Sequence, residues 1–132
     1  MNNKIVIIDD DRVTVRLIEG ILTNSGFAVS AAGDGESGYA LALQERPDIV
    51  VCDFLLPKID GVEVARRIKA APELSRTKVM LMTAVYKGPM AKNVLQDSGA
   101  DEFIEKPFET STLMKKIFKL CQEIVDADDK AA

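Results

Sequence analysis

The sequence has no histidine and no tryptophan, only two cysteines, and an aromatic content of 5%. Without histidine the chain cannot run imidazole acid–base chemistry, bind a metal through imidazole, or make a phosphohistidine of its own. Cys52 and Cys121 stand alone, with no CxxC spacing, so neither a zinc site nor a disulfide framework fits them. A basic excess is missing too: the formal net charge is −4, which gives no field to hold a nucleic-acid backbone. No apolar run approaches the roughly 18 residues that span a bilayer, and the start lacks a signal-peptide pattern. A reducing, cytoplasmic setting with no membrane partner is the expectation.

What is present is one domain's worth of core. Hydrophobic residues make up 47% of 132 residues and charged residues 29%, the balance of a globular chain. Lys4 to Ile8 is a short apolar run, as expected of a strand buried on both faces. Val13, Leu17, Ile18, Ile21 and Leu22 recur at helical spacing, closed by Ser25-Gly26. Further strands read at 27–31, 48–52, 78–82 and 101–105. Helices read at 37–45, from Val62 to Ile68, at 90–98 and at 110–125. The end, 126–132, is polar and reads as a frayed tail or linker stub after a domain over 1–125. Lys115, Lys116 and Lys119 read as the wet side of the last helix.

Strand and helix alternate five times with short connections, the pattern of a parallel sheet with helices on both faces. Such sheets bind ligands beyond the carboxyl ends of their strands. That rule selects Asp9, Asp10 and Asp11 after strand one, Asp53 after strand three, Thr83 after strand four and Lys106 after strand five. Clustered carboxylates repel unless a cation neutralises them, and Mg²⁺ is the usual ion where carboxylates meet phosphate. Phosphoryl transfer needs a metal, an opposing positive charge and a hydroxyl donor. Asp9 and Asp10 fit the metal pair, Lys106 the charge and Thr83 the hydroxyl. Asp53, a lone acid on a central strand, fits the phosphoryl acceptor. Asp11 is suited to capping the first helix.

Four separated motifs carry a family resemblance: Ile8-Asp9-Asp10, the stretch 50–61 with Asp53, Pro57, Asp60 and Gly61, Met82-Thr83-Ala84, and Glu105-Lys106-Pro107-Phe108. Over about 4–125 the chain resembles a two-component response regulator receiver domain. The resemblance implies a flavodoxin-like, doubly wound five-stranded sheet in the order 2-1-3-4-5. It implies Mg²⁺-dependent phosphorylation of Asp53 by a histidine kinase or phosphotransfer protein, with the Leu55 backbone carbonyl as a further metal ligand. It also implies that Thr83 and Phe103 act as a switch pair. The surface of the fourth helix, fifth strand and last helix (90–98, 103–105, 110–125) would then meet a downstream protein or fused output domain. A monomer or a phosphorylation-linked dimer is expected.

Two local departures stand out. Leu55 is apolar beside the acceptor, which should exclude attacking water and slow self-dephosphorylation. The stretch 85–89 is longer and stiffer than a receiver's usual entry into its fourth helix. Two rivals remain in view. A phosphorylation-independent scaffold would share the fold. A haloacid-dehalogenase-like phosphatase would use Asp9 as nucleophile and Asp11 as general acid, since Asp9-Asp10-Asp11-Arg12-Val13 fits its motif. That enzyme needs a further strand after the lysine, where this sequence reads as one helix.

Overall fold

The computed structural model describes residues 2–84, 93 and 96–131. Strands β1 (Lys4–Ile8), β2 (Ala28–Ala32), β3 (Ile49–Asp53), β4 (Lys78–Thr83) and β5 (Glu102–Glu105) form one sheet. Their order is 2-1-3-4-5 and every pairing is parallel, as expected. Helices α1 (Arg12–Asn24), α2 (Gly35–Glu45), α3 (Gly61–Ala70) and α4 (Thr110–Ala131) cover the two faces, with a short 3₁₀ turn at Pro72–Leu74.

The sheet is buried on both sides because alternate residues of the central strands feed two cores. Ile5, Ile7, Ile49, Val51, Met80 and Met82 pack under α1 and α4. Val6, Ile8, Val50, Cys52, Val79 and Leu81 pack under α2 and α3. A strand that is apolar at every position is therefore required.

The helices start where short polar side chains can cap them. The carboxylates of Asp11, Asp34 and Asp60 accept from the backbone N–H of Val13, Ser37 and Glu63. The Asp34 cap moves the start of α2 to Gly35, two residues ahead of the expected position. At the other end, the expected frayed tail is helical through Ala131. Ile124 is buried, Gln122 donates to Asp126, and Asp128 pairs with Arg76, which carries the helix past residue 125. The expected loop at 85–89 lies outside the described residues. So does much of the expected helix at 90–98, of which Asn93, Gln96 and Asp97 are helical.

Candidate functional site

Parallel strands deliver their carboxyl ends to one rim. Ile8 pairs with Cys52, so the residues that follow, Asp9 and Asp53, emerge side by side. Asp53 lies opposite Met82, one residue short of Thr83, and Thr83 lies opposite Glu105, one short of Lys106. The backbone N–H of Lys106 donates to the Thr83 carbonyl at 2.7 Å and that of Phe54 to the Met82 carbonyl at 2.9 Å. Residues far apart in sequence thus meet because each ends a strand of one sheet.

Asp9, Asp10 and Asp53 each offer an oxygen, and these oxygens lie within 4.8 Å of one another. Asp9 is buried, Asp53 half-buried and Asp10 exposed. The Lys106 ammonium donates to Asp9 Oδ2 at 2.8 Å and sits 3.3 Å from Asp53 Oδ1. The other Asp9 oxygen accepts from the Asp11 backbone N–H at 2.9 Å. Three carboxylates against one ammonium leave an uncompensated charge. Like charges about 4 Å apart cost on the order of 4 kcal/mol near a protein surface, more than an ordinary hydrogen bond returns. Burial, and then the neighbouring Asp9 charge, push the Asp53 carboxyl above the ordinary aspartate range, despite Lys106. Burial alone would lower Lys106, but its bond to Asp9 and the charges of Asp53 and Asp9 hold it above the ordinary lysine range. An all-oxygen donor set, open to water on the Asp10 side, fits a small hard divalent cation.

Thr83 is buried at the rim, and with Phe103 it lines a cleft of about 670 Å³ beside α4. Phe103 is half-buried and packs against the α2–α3 core, outside the acidic cluster. Leu55 is 67% exposed, two residues beyond Asp53. Asp11 spends its carboxylate on α1, accepting from Val13 N at 3.0 Å and Thr14 Oγ1 at 2.8 Å. The bond from Thr14 keeps it below the ordinary aspartate range, so the group is held ionised. A general acid at that position would need the proton this cap removes. Among the described residues no strand follows Lys106, whose bond to Pro107 is cis.

Gly61 stands in the sequence as part of a family motif, with no role of its own assigned. A Cβ there would stand 2.3 Å from the Asp53 carbonyl oxygen, and the Gly61 N–H donates to the Phe54 carbonyl at 2.9 Å. Gly61 lets α3 begin directly against the strand that presents Asp53. The Asp60-Gly61 dipeptide was the available signal.

The chain matches the response regulator receiver domain family over residues 5–118. It belongs to that family. This receiver domain is 35% identical over 115 residues to the DNA-binding dual master transcriptional regulator RpaA of Synechocystis, covering 86% of this chain and 47% of RpaA. It is 34% identical to response regulator PleD of Caulobacter vibrioides, covering 91% of this chain and 26% of PleD. It thus spans about half or less of the length of these relatives. Among solved structures it resembles the receiver domain of sensor histidine kinase PA1611 of Pseudomonas aeruginosa, with a TM-score of 0.81 and 27% identity. That match covers 94% of this chain and 98% of the other, whose active-site cleft coordinates a magnesium ion. A receiver domain is a signalling module rather than a metabolic enzyme. No helix among the described residues is long and apolar enough to cross a membrane.

Proposed function

We propose that this receiver domain takes a phosphoryl group onto Asp53 from a phosphohistidine of a histidine kinase or phosphotransfer protein. The observation that carries the reading is Lys106, bonded to buried Asp9 while standing 3.3 Å from Asp53, inside a three-carboxylate cluster. Asp9, Asp10 and Asp53, with the Leu55 carbonyl, would hold Mg²⁺, which when bound neutralises the rim and the incoming phosphoryl oxygens. An Asp53 oxygen attacks phosphorus in line. The phosphorus–nitrogen bond to the donor breaks, and the imidazole leaves with the electron pair. Lys106 then pairs with one phosphoryl oxygen and Thr83 donates to another.

Phosphorylation adds about −1.5 to −2 of charge. Movement of Thr83 toward that charge opens its side of the shared cleft, and Phe103 turns in to fill it. The face of β5 and α4 changes shape and alters binding of a downstream protein or a fused output domain. Leu55 is exposed two residues beyond Asp53; an apolar side chain there would hinder water that attacks the acyl phosphate and slow self-dephosphorylation.

Acetyl-phosphate labelling in Mg²⁺ tests the reading. Asp53→Asn should abolish the label, and the wild-type label should persist well beyond seconds. A label that survives Asp53→Asn and disappears only with Asp9→Asn would transfer the chemistry to Asp9. No uptake by the wild type would leave the domain a phosphorylation-independent scaffold.

A further inference from the structure

Residues 54–60 join β3 to α3, and Leu55 is held at both ends of its place in that segment. On one side, buried Phe54 donates its backbone N–H to the Met82 carbonyl and accepts at its own carbonyl from the Gly61 N–H, both at 2.9 Å. On the other side, Leu56 and Ile59 pack against the core beneath α2 and α3. The Pro57 carbonyl accepts from the Gly35 N–H at 3.5 Å, and Lys58 Nζ stands 3.8 Å from Asp34 Oδ2. Lys58 has a φ of 72°, a left-handed conformation that a residue with a Cβ disfavours. The ties on either side of Lys58 hold it there.

Gly35, the first residue of α2, is where this turn meets the helix. A Cβ at Gly35 would overlap both Ile59 Cγ1 and the Ile59 carbonyl oxygen, and would stand 3.1 Å from Val64 Cγ2. A change of side-chain rotamer relieves the first overlap but not the second, which is with backbone. Nor can α2 withdraw cheaply. One turn on, a Cβ at Gly38 would stand 2.5 Å from Ile8 Cδ1, and Ala42 beyond it is fully buried. Lifting α2 would open the core along β1. Pro57 and Lys58 are exposed, so the turn is the side that yields.

We propose that Gly35 is a positioning residue for the divalent cation of the acidic rim: by admitting Ile59 against α2, it fixes the turn that places the Leu55 carbonyl. The inference rests on the reading of that carbonyl as a ligand to Mg²⁺. Asp9, Asp10 and Asp53 attract any hard cation by charge, whereas a neutral carbonyl contributes only where its position is right. Mg²⁺ demands short, near-octahedral ligation, and Ca²⁺ accepts longer and less regular ligand sets. A displaced Leu55 carbonyl therefore costs Mg²⁺ more than Ca²⁺. Uncharged Gly35 thereby governs which ion the carboxylates hold.

Calorimetric titration of the whole chain with Mg²⁺ and, separately, with Ca²⁺ tests it. Gly35→Ala should lower Mg²⁺ affinity about tenfold, as supporting residues of metal sites do. It should lower Ca²⁺ affinity less than about threefold. Gly33→Ala is the control, since a Cβ there would meet nothing within 4 Å, and it should change neither affinity. Ile59→Ala loosens the same turn without adding bulk, and it should weaken Mg²⁺ more than Ca²⁺ even if Gly35→Ala does not fold. Equal losses for the two ions would make Gly35 merely structural and overturn the proposal. So would unchanged Mg²⁺ affinity in Gly35→Ala, or in Ile59→Ala if the first variant does not fold. Asp10→Asn separates this failure from that of the rim itself. If Asp10→Asn weakens Mg²⁺ binding and the turn variants do not, only the role of Gly35 falls. If Asp10→Asn binds Mg²⁺ as the wild type does, the rim reading falls with it.

Discussion

The two ends of the sheet both carry aspartates, yet they use them in opposite ways. At the amino end, Asp101 accepts from the Val79 backbone N–H at 2.8 Å and pairs with Lys69, with Lys78 3.9 Å away. Asp48 accepts from the backbone N–H of Asn2 at 3.0 Å and of Lys4 at 3.2 Å. These carboxylates face donors, and they fasten strands. At the carboxyl end, Asp9, Asp10 and Asp53 crowd together with one ammonium. A satisfied carboxylate stabilises the fold, whereas an under-neutralised cluster stores repulsion that a cation or phosphoryl transfer can relieve.

The largest effect that would break this comparison concerns metal affinity. Asp10→Asn should weaken Mg²⁺ binding on the order of 100-fold, and Asp101→Asn should leave it unchanged, by calorimetric titration. Equal losses in the two variants would mean the ends are not distinct. Stability should show the reverse order. Asp101→Ala strands the Val79 N–H and leaves the Lys69 ammonium only its bond to the Thr77 carbonyl, and should cost roughly 2–3 kcal/mol in urea unfolding. Asp10→Ala should cost nothing, or stabilise the metal-free domain.

A pH series sharpens the contrast. Asp53 has a raised folded-state pKa, so the native state holds its proton more readily than the unfolded chain. Its ionisation therefore costs stability above that pKa, and the cost disappears as pH falls through it and below the ordinary value of 3.8. Without metal, Asp53→Asn should raise the Tm at neutral pH and leave it unchanged in acid. With Mg²⁺ the order should invert, because only the wild type keeps the full ligand set. The smallest expected effect lies at the end of α4. Asp128→Ala removes a surface pair with Arg76 and should cost at most about 1 kcal/mol.

Much of the site was legible because its residues end strands, and strand ends are marked by apolar runs giving way to Asp9, Asp53, Thr83 and Lys106. The role of Asp11 as a cap was legible for a similar reason, since it immediately precedes a helical pattern. Gly61 was not, because nothing in its spacing reports that α3 must start within van der Waals range of the Asp53 carbonyl. The helical end of α4 was also hidden. Its polar composition reads as a tail, and only the partners supplied by the rest of the fold keep Asp126 and Asp128 in a helix.

The sequence by itself determined the alternation of strands and helices, the double-sided burial of the sheet and the chemistry available at its rim, because period, capping and residue type are local properties. Tertiary structure decided how the charges are shared. Only strand order puts Lys106 between Asp9 and Asp53, and only tertiary packing brings the start of α3, at Gly61, against the Asp53 carbonyl. Both depend on distances between residues remote along the chain, which spacing alone does not encode.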